Sequence, residues 1–205
     1  PPVQAPPAKE TDPLRTSRYP YRGNSRRPKG VENDLFEDYD KIVLEEAALG
    51  DTRFATTVIR APMIFGPGDK QHRFRWAIEA VKRGGLVKLD ERAGKWPNSY
   101  GYLTDVAEAI ALAALDPRAA GRIYNVGQPF VRTPIEWLLT FGVVMNIPIE
   151  VETVPAAEQA LLFERAEASD LRYPLTLDTA RIREELGFAE VVSEREALLA
   201  TIAYE

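Results

Sequence analysis

Apolar and polar positions follow two alternating periods along most of the chain. Short apolar or β-branched runs of strand length are followed by stretches in which apolar residues recur every three to four positions, the spacing of one helix face. Strands are predicted at 56–65, 86–89, 100–103, 122–126 and 149–154. Helices are predicted at 34–49, 74–83, 104–115, 134–145, 156–168, 179–186 and from 194 onward.

Several helix boundaries carry specific signals. The segments Thr133–Glu136 and Ser193–Glu196 each place a hydroxyl three residues before a glutamate, which is a capping box. Pro134 suits the first helical position of the first of them. Gly50 and Gly187 follow the last turns of two other helices, where glycine commonly ends a helix.

Strands that alternate with helices indicate an α/β fold with a largely parallel sheet covered on both faces. The order of elements predicts part of a doubly wound, Rossmann-like sheet over residues 31–130 and a smaller C-terminal α/β substrate lobe over 131–205. Residues 1–30 are rich in proline and poor in apolar residues, so an extended or disordered arm is expected there.

Composition narrows the possible functions. The 205-residue chain is 45% hydrophobic and 28% charged, as is ordinary for a soluble globular protein. No run approaches the ~20 apolar residues that span a bilayer, and the start lacks the order of a signal peptide, so no membrane contact is expected. With no cysteine and the single histidine His72, we expect no metal site and a cytoplasmic location.

The arm is basic, whereas the rest of the chain is acidic. Residues 1–30 hold seven Lys or Arg, and the remainder holds 19 basic and 29 acidic residues. A basic arm can bind nucleic acid by releasing counterions, but this arm has few aromatics for base stacking. We favour a solvated loop beside an acidic cluster. That cluster comprises Glu32, Asp34, Glu37, Asp38 and Asp40.

The stretch 56–69 is the most informative for a binding site. Its first part is apolar and β-branched, as in a buried strand, and it ends on Gly66–Asp69, a composition that breaks strands. Because ligands of open α/β sheets bind at the carboxyl ends of strands, a substrate site is expected here. A plain turn with an exposed or capping histidine is the alternative. The candidate substrate-binding residues are Gly66, Gly68, Asp69, His72 and Arg73.

Four short motifs and a closing segment occur in a fixed order along the chain. They are Lys41–Glu46 on a helix, Arg60–Gly68 after a strand, Gly101–Ala109 at a strand-to-helix junction, Tyr124–Gly127, and the closing Asp178–Gly187. In this order the chain resembles the C-terminal portion of an NAD(P)-dependent epimerase/dehydratase, an extended short-chain dehydrogenase, without the N-terminal nucleotide-binding half.

The resemblance implies an NAD or NADP cofactor held by a Rossmann half and a small substrate, often a nucleotide sugar, held by the C-terminal lobe. It also implies hydride chemistry in which a tyrosine acts as base beside a lysine one helical turn later, which contacts the nicotinamide ribose. By the same resemblance Lys41 contacts the cofactor, and Pro62, Met63 and Ile64 lie near the nicotinamide.

The nucleotide-binding opening departs from the family. No G-x-G-x-x-G or similar cluster follows a strand near the start, and Gly66–Gly68 has no third glycine that opens a helix. We therefore expect this chain by itself to lack cofactor binding and redox activity.

The spacing of the expected tyrosine and lysine also departs from the family, in which the two residues are four positions apart. Counting back four residues from Lys41 gives Glu37, whereas Tyr39 would lie about 200° around a regular helix from Lys41. Two alternatives stay open: either Glu37 faces Lys41 on a continuous helix, or residues 36–39 precede the first turn and Tyr39 turns inward as the base.

A third departure concerns substrate phosphate. Relatives often place a phosphate-binding arginine just before the strand at Gly101, and the matching position here is Ser99 or Tyr100. Tyr100 is therefore a substrate-binding candidate, and the missing arginine argues against a nucleotide sugar.

Two functions are compatible with these residues. The first is an epimerase/dehydratase-like protein for a carbohydrate-like or other small carbonyl or hydroxyl substrate, truncated or half of a split enzyme and inactive as this chain. The second is a degenerate, non-catalytic interaction module. Its unfinished sheet would expose an apolar edge and pair with a second copy or a separate Rossmann half.

Overall fold

Parallel strand pairs covered by helices make up the architecture. The computed structural model describes residues 7–20, 22, 37–155, 160–162 and 170–205. Its strands are β1 (Val58–Arg60), β2 (Met63–Phe65), β3 (Gly85–Asp90), β4 (Tyr100–Tyr102), β5 (Ile123–Asn125) and β6 (Ile149–Val154). Its α-helices are α1 (Lys41–Gly50), α2 (Arg75–Arg83), α3 (Glu91–Gly94), α4 (Leu103–Leu115), α5 (Pro134–Met145), α6 (Ala180–Leu186) and α7 (Glu194–Tyr204).

The strand ladders of the described residues are all parallel. β1 pairs with β5, β2 with β4, and β3 with β6. The α/β fold with parallel strands is therefore confirmed. The strands form three two-stranded ladders, each joined through connections that contain helices, as parallel pairing requires.

The strand predicted at 56–65 is interrupted in its middle. It forms β1 and β2 on either side of Ala61 and Pro62. Proline has no backbone N–H to donate to a ladder, so the pairing of β1 ends there. Pairing resumes with a different partner, where the Met63 N–H donates to Ser99 O at 3.2 Å. The carboxyl end of the β1–β5 ladder therefore meets the amino end of the β2–β4 ladder.

Two apolar clusters hold the layers together. The larger one lies among α2, α5 and the ladders of β2 and β3, and its centre is aromatic: the Phe74 ring lies 4.8 Å from Trp137 and 5.0 Å from Phe65 between centroids. The smaller one packs α4 and α6 on β5 around the fully buried Tyr124 and Ile182. β2 lies between these clusters, since Ile64 packs on the smaller one and Met63 on the larger.

The helix starts that carried capping boxes are confirmed. Thr133 and Ser193 cap α5 and α7, and in each case the glutamate at the third helical position bonds back to the capping residue. Gly187, at φ +73°, ends α6 as predicted. The helix predicted at 156–168 lies outside the described residues except for 160–162.

Part of the N-terminal arm packs on the fold. Ala8 forms a parallel bridge with Leu177, and the Ala8 N–H donates to Thr176 O at 2.8 Å. Arg15 pairs with Asp40, a member of the acidic cluster, at 2.7 Å. Arm residues 1–6, 21 and 23–30 lie outside the described residues.

The described ranges contain neither a membrane-spanning helix nor a cluster of metal ligands. No helix there combines the length and apolarity needed to cross a bilayer. No three His, Asp or Glu side chains there are grouped so that they could share a metal ion.

Candidate functional site

A cleft of about 440 Å³ opens where β2 ends. The chain turns there at Gly66 and Gly68, whose φ angles are +129° and +92°. Such angles suit glycine because it has no Cβ. The cleft is lined by residues 64–71 together with Arg73 and Leu103. It therefore brings together one cofactor candidate and four substrate candidates, namely Ile64, Gly66, Gly68, Asp69 and Arg73.

The Asp69 carboxylate holds the cleft loop in shape. It accepts the backbone N–H groups of Gln71 and Arg73, both at 3.0 Å, and pairs with the Arg73 guanidinium. Arg73 also donates to Ile64 O at 2.7 Å, which ties the loop to β2. Burial would raise the pKa of Asp69, but these hydrogen bonds and the guanidinium charge outweigh it and lower the pKa below 3.8.

We expect Asp69 to make the stability of the cleft loop depend on pH. Because its pKa is lowered on folding, its ionised form adds stability above pH 3.8, which is lost as pH falls through the folded-state pKa. Urea unfolding of the native chain and of Asp69→Asn should therefore show a stability difference that is constant from neutral pH to about pH 5. The difference should shrink in more acidic solution. A difference that stays the same down to the acid limit would contradict this assignment.

His72 and Tyr100, the other two residues predicted to bind substrate, do not line this cleft. The His72 Nδ1 lies 2.8 Å from the Glu205 carboxylate, and its ring stacks on Tyr204 at 5.8 Å. Tyr100 is only 4% exposed, and its ring packs 4.9 Å from Phe74 in the larger apolar cluster. His72 thus fastens the last helix, and Tyr100 belongs to the core.

The start of α1 separates Tyr39 from the helix that contains Lys41. α1 begins at Lys41, and Asp40 is its N-cap, with extended backbone (φ −145°, ψ 114°) and a carboxylate that accepts the Ile42 N–H. Glu37 and Tyr39 are therefore not on a continuous helix with Lys41.

An ion pair sets α1 against β1. The Arg60 guanidinium contacts the Glu45 carboxylate at 2.5 and 3.1 Å, and both side chains are largely buried. Lys41 precedes Glu45 by one helical turn and lies on the same face of α1. Lys41 is exposed and has no hydrogen bond or ion pair with the described part of the chain.

The described residues fit only one end of a nicotinamide dinucleotide. The exposed Lys41 ammonium is a group that suits the hydroxyls of a nicotinamide ribose. A pyrophosphate needs free backbone N–H groups at a glycine turn that opens a helix. The N–H groups after Gly66–Gly68 are instead taken by Asp69, whose negative charge would repel phosphate. The pyrophosphate therefore does not fit the residues that the structure describes.

A buried polar network at the ladder junction had no local sign in the sequence. Asn98, Asn125 and Gln128 are 2%, 1% and 9% exposed. Glu10 reaches Asn125 from the arm, and its carboxylate accepts the Asn125 N–H at 2.9 Å. Asn125 belongs to the motif Tyr124–Gly127, which was noted in the sequence. The residue that bonds to Asn125, Glu10, lies 115 residues earlier in a proline-rich segment and was not noted. Only an alignment of homologues in which positions 10 and 125 vary together could have revealed this contact.

Comparison with curated proteins gives two distant relatives. No protein-family model matches the chain. The uncharacterized protein YbjS of Escherichia coli is 27% identical over 172 residues, covering 75% of this chain and 50% of the relative. The uncharacterized protein y4nL of Sinorhizobium fredii is 22% identical over 183 residues, covering 80% and 50%. The chain spans about half the length of the curated relatives it matches.

Solved structures share the fold. They include RMD from Pseudomonas aeruginosa complexed with NADPH (TM-score 0.59, 16% identity) and the UDP-glucose 4-epimerase from Thermotoga maritima with UDP-glucose (0.58, 20%). A third is the dTDP-glucose 4,6-dehydratase DesIV from Streptomyces venezuelae with NAD and TYD bound (0.57, 17%). The matches cover 80–82% of this chain and 49–53% of those chains. The chain therefore has the fold of about half of an NAD-dependent epimerase or dehydratase, as predicted.

Proposed function

We propose that the chain supplies the substrate side and the proton-transfer residues of an NAD(P)-dependent epimerase, dehydratase or reductase. Its substrate would be carbohydrate-like or another small carbonyl or hydroxyl compound. The shared fold supports this function, as do solved neighbours that carry NADPH or NAD. Because the chain spans about half of those proteins, activity requires a nucleotide-binding half, on the same polypeptide or on another.

One observation carries the proposal: Tyr39 and Lys41 flank Asp40, whose backbone is extended, directly at the start of α1. This arrangement would give a Tyr-x-Lys pair the common side that a Tyr-x-x-x-Lys pair has on a helix. A bound nicotinamide would supply hydride chemistry. The Tyr39 hydroxyl would exchange the accompanying proton with a substrate oxygen, and the Lys41 ammonium would hold the ribose hydroxyls.

The cleft at the end of β2 would hold the rest of the substrate. Gly66 and Gly68 allow close approach of a ligand to the backbone, and Asp69 and Arg73 fix the loop that lines the opening. Their groups already bond to each other, so we assign them to shaping the cleft and not to chemistry.

Coenzyme titration tests this function. We expect the 205-residue chain alone to leave NADH fluorescence unchanged at micromolar concentrations, because the pyrophosphate does not fit its described residues. Addition of the nucleotide-binding half that the same gene or a neighbouring frame encodes should create binding. In that assembly Lys41→Ala should weaken NADH binding about tenfold or more, as expected for loss of a charged hydrogen-bond donor.

The matched control is Lys82→Ala, which removes an exposed lysine at the end of α2 and should leave binding unchanged. Micromolar NADH binding by the chain alone would contradict the assignment of the coenzyme to a companion half. If the Lys41→Ala and Lys82→Ala variants bind NADH equally well, Lys41 does not contact the coenzyme.

A second function, an interaction module without catalysis, is favoured by the exposure of α1. α1 contains no buried residue, Leu44 is 58% exposed, and the nearby Phe54 is 67% exposed. β1 is paired on one edge, with β5, among the described residues. Exposed apolar side chains beside a free strand edge are typical of a surface that pairs with another chain. A stable complex that still fails to bind NADH would favour this function over the first.

A further inference from the structure

Helix α1 lies outside the apolar packing of the fold. Neither apolar cluster of the described chain includes a residue of α1, and none of the side chains of α1 is buried. A short helix is marginal in water unless its ends are capped or its apolar face is packed. Among the described residues, the main attachments of α1 are therefore hydrogen bonds and ion pairs.

The N-terminal arm supplies these attachments at the start of α1. The Asp40 side chain is fully enclosed, and its carboxylate accepts the Tyr19 N–H at 2.6 Å and the Arg15 guanidinium at 2.7 Å. The same carboxylate caps the helix through the Ile42 N–H. Tyr19 has a φ of +51°, a left-handed backbone that residues other than glycine adopt where neighbouring contacts impose it. The arm is thus shaped around the N-cap of α1.

Two ion pairs continue this attachment along the helix. Arg18 of the arm contacts the Glu46 carboxylate at 2.7 Å. The neighbouring Glu45 pairs with Arg60 of β1, and Arg60 in turn donates to the backbone oxygen of Glu10 in the arm at 3.3 Å. Each of these attachments therefore involves the arm or a residue bonded to the arm.

The other end of this segment is anchored on the main part of the fold. Ala8 forms a parallel bridge with Leu177, and the buried Glu10 accepts the Asn125 N–H at 2.9 Å where β5 ends. Residues 8–19 therefore connect the end of β5 with the N-cap of α1, and we call this segment the strap.

We propose that the strap controls the position of α1, so that Lys41 is held at the proposed site only while the strap is docked. The control is electrostatic, because docking on α1 uses arginine–carboxylate pairs whose arginines are partly exposed, and salt weakens such pairs. Release of the strap would leave both apolar clusters intact, since α1 belongs to neither. The consequence for coenzyme binding rests on the proposed function, whereas the strap itself does not.

Hydrogen exchange of the full 205-residue chain, read by mass spectrometry, tests the strap, with α1 as the reporter and α5 as the reference. We expect Arg15→Gln to accelerate exchange in α1 about tenfold or more, as for loss of a hydrogen bond to a charged group, and to leave α5 unchanged. Arg15→Lys keeps the charge and should recover part of the protection. The matched control is Arg53→Gln, which removes an arginine paired with Asp51 at the other end of α1 and should leave α1 unchanged.

Two further readouts separate a strap from a local surface contact. The hydrogen bonds of Glu10 go to Asn125 and Arg60, and none goes to α1, yet Glu10→Ala should accelerate exchange in α1 because it weakens the anchor of the strap. An increase in NaCl from about 0.05 to about 0.5 M should accelerate exchange in α1 of the native chain and have a smaller effect in Arg15→Gln. If Arg15→Gln fails to fold, Arg18→Gln breaks an exposed pair and gives the same comparison with a smaller effect.

Three results would overturn the proposal. They are unchanged exchange in α1 of both Arg15→Gln and Arg18→Gln, equal acceleration in α5 and α1, which would mean a global loss of stability, and an effect of Arg53→Gln as large as that of Arg15→Gln. No coenzyme is present in these experiments, so their outcome is independent of NADH binding. If α1 follows the strap but the assembled enzyme fails to bind NADH, this inference stands and the proposed function is rejected.

Discussion

Replacement of Gly66 by alanine is expected to lower the free energy of unfolding by about 3–5 kcal/mol, since it combines backbone strain with overpacking. Gly66 has a φ of +129°, which L-residues rarely adopt. A Cβ there would collide with the side chain of Leu103 and lie 2.8 Å from Tyr102 Cε2. Both neighbours are held by their own packing at the start of α4, so the loop would have to move and the cleft at β2 would change shape.

Gly68 offers a matched control two residues away. Its φ is also positive, at +92°, but a Cβ there would meet nothing within 4 Å. Gly68→Ala should therefore cost only the strain, about 1–2 kcal/mol. Urea unfolding of the two variants and the native chain at neutral pH measures both losses. Equal losses would show that Leu103 and Tyr102 move aside easily, and the close packing of this turn would then not define the cleft.

Local signals in the sequence were enough for most helix and strand positions. The capping boxes at Thr133 and Ser193 were predicted because both bonding partners lie within four residues. The step from β4 directly into α4 was predicted because its apolar period changes at one point, Leu103. Both partners of such an interaction lie within a few residues of each other, so it can be recognised from a single sequence.

Two other features depend on contacts between distant parts of the chain and could not be predicted locally. They are the break between β1 and β2 and the position of Tyr39 relative to Lys41. Pro62 was visible in the sequence, but nothing local indicated that β1 and β2 would pair with different strands. Similarly, Asp40 could have been an interior helix residue, and only its bonds to Ile42 and to the distant Tyr19 identify it as the cap. With that cap in place, Tyr39 leaves the helix and the expected angle of 200° no longer applies.

The sequence predicted the part of the candidate site that lies within one turn, but not the exposure of residues elsewhere. Gly66, Gly68, Asp69 and Arg73 line one cleft because they belong to one turn. Tyr100 was assigned to the substrate from its position in a motif, but the aromatic cluster of Phe74 and Trp137 buries it. A motif gives the position of a residue in the chain, whereas its exposure depends on everything that packs against it.

Replacement of Asp105 by alanine should be about as damaging as Gly66→Ala, although the residue lies on the first turn of a helix. The Asp105 side chain is buried, and its Oδ1 accepts the backbone N–H groups of Val191 (2.9 Å) and Val192 (3.1 Å). These bonds tie α4 to the segment that precedes α7. Because alanine would remove the charged acceptor of two partly buried backbone hydrogen bonds, we expect a loss of about 3–5 kcal/mol in the free energy of unfolding.

Two variants test whether Asp105 acts through these bonds and not through charge. Asp105→Asn keeps an acceptor oxygen in place and should recover more than half of the lost stability. Asp116→Ala removes the aspartate after the last turn of the same helix, whose contacts with Arg118 are exposed, and should have a much smaller effect. Hydrogen exchange adds the local measurement, since the Val191 and Val192 amides should lose protection in Asp105→Ala alone. Retained protection there would mean that another group accepts these bonds, and Asp105 would then not be the residue that ties α4 to the segment before α7.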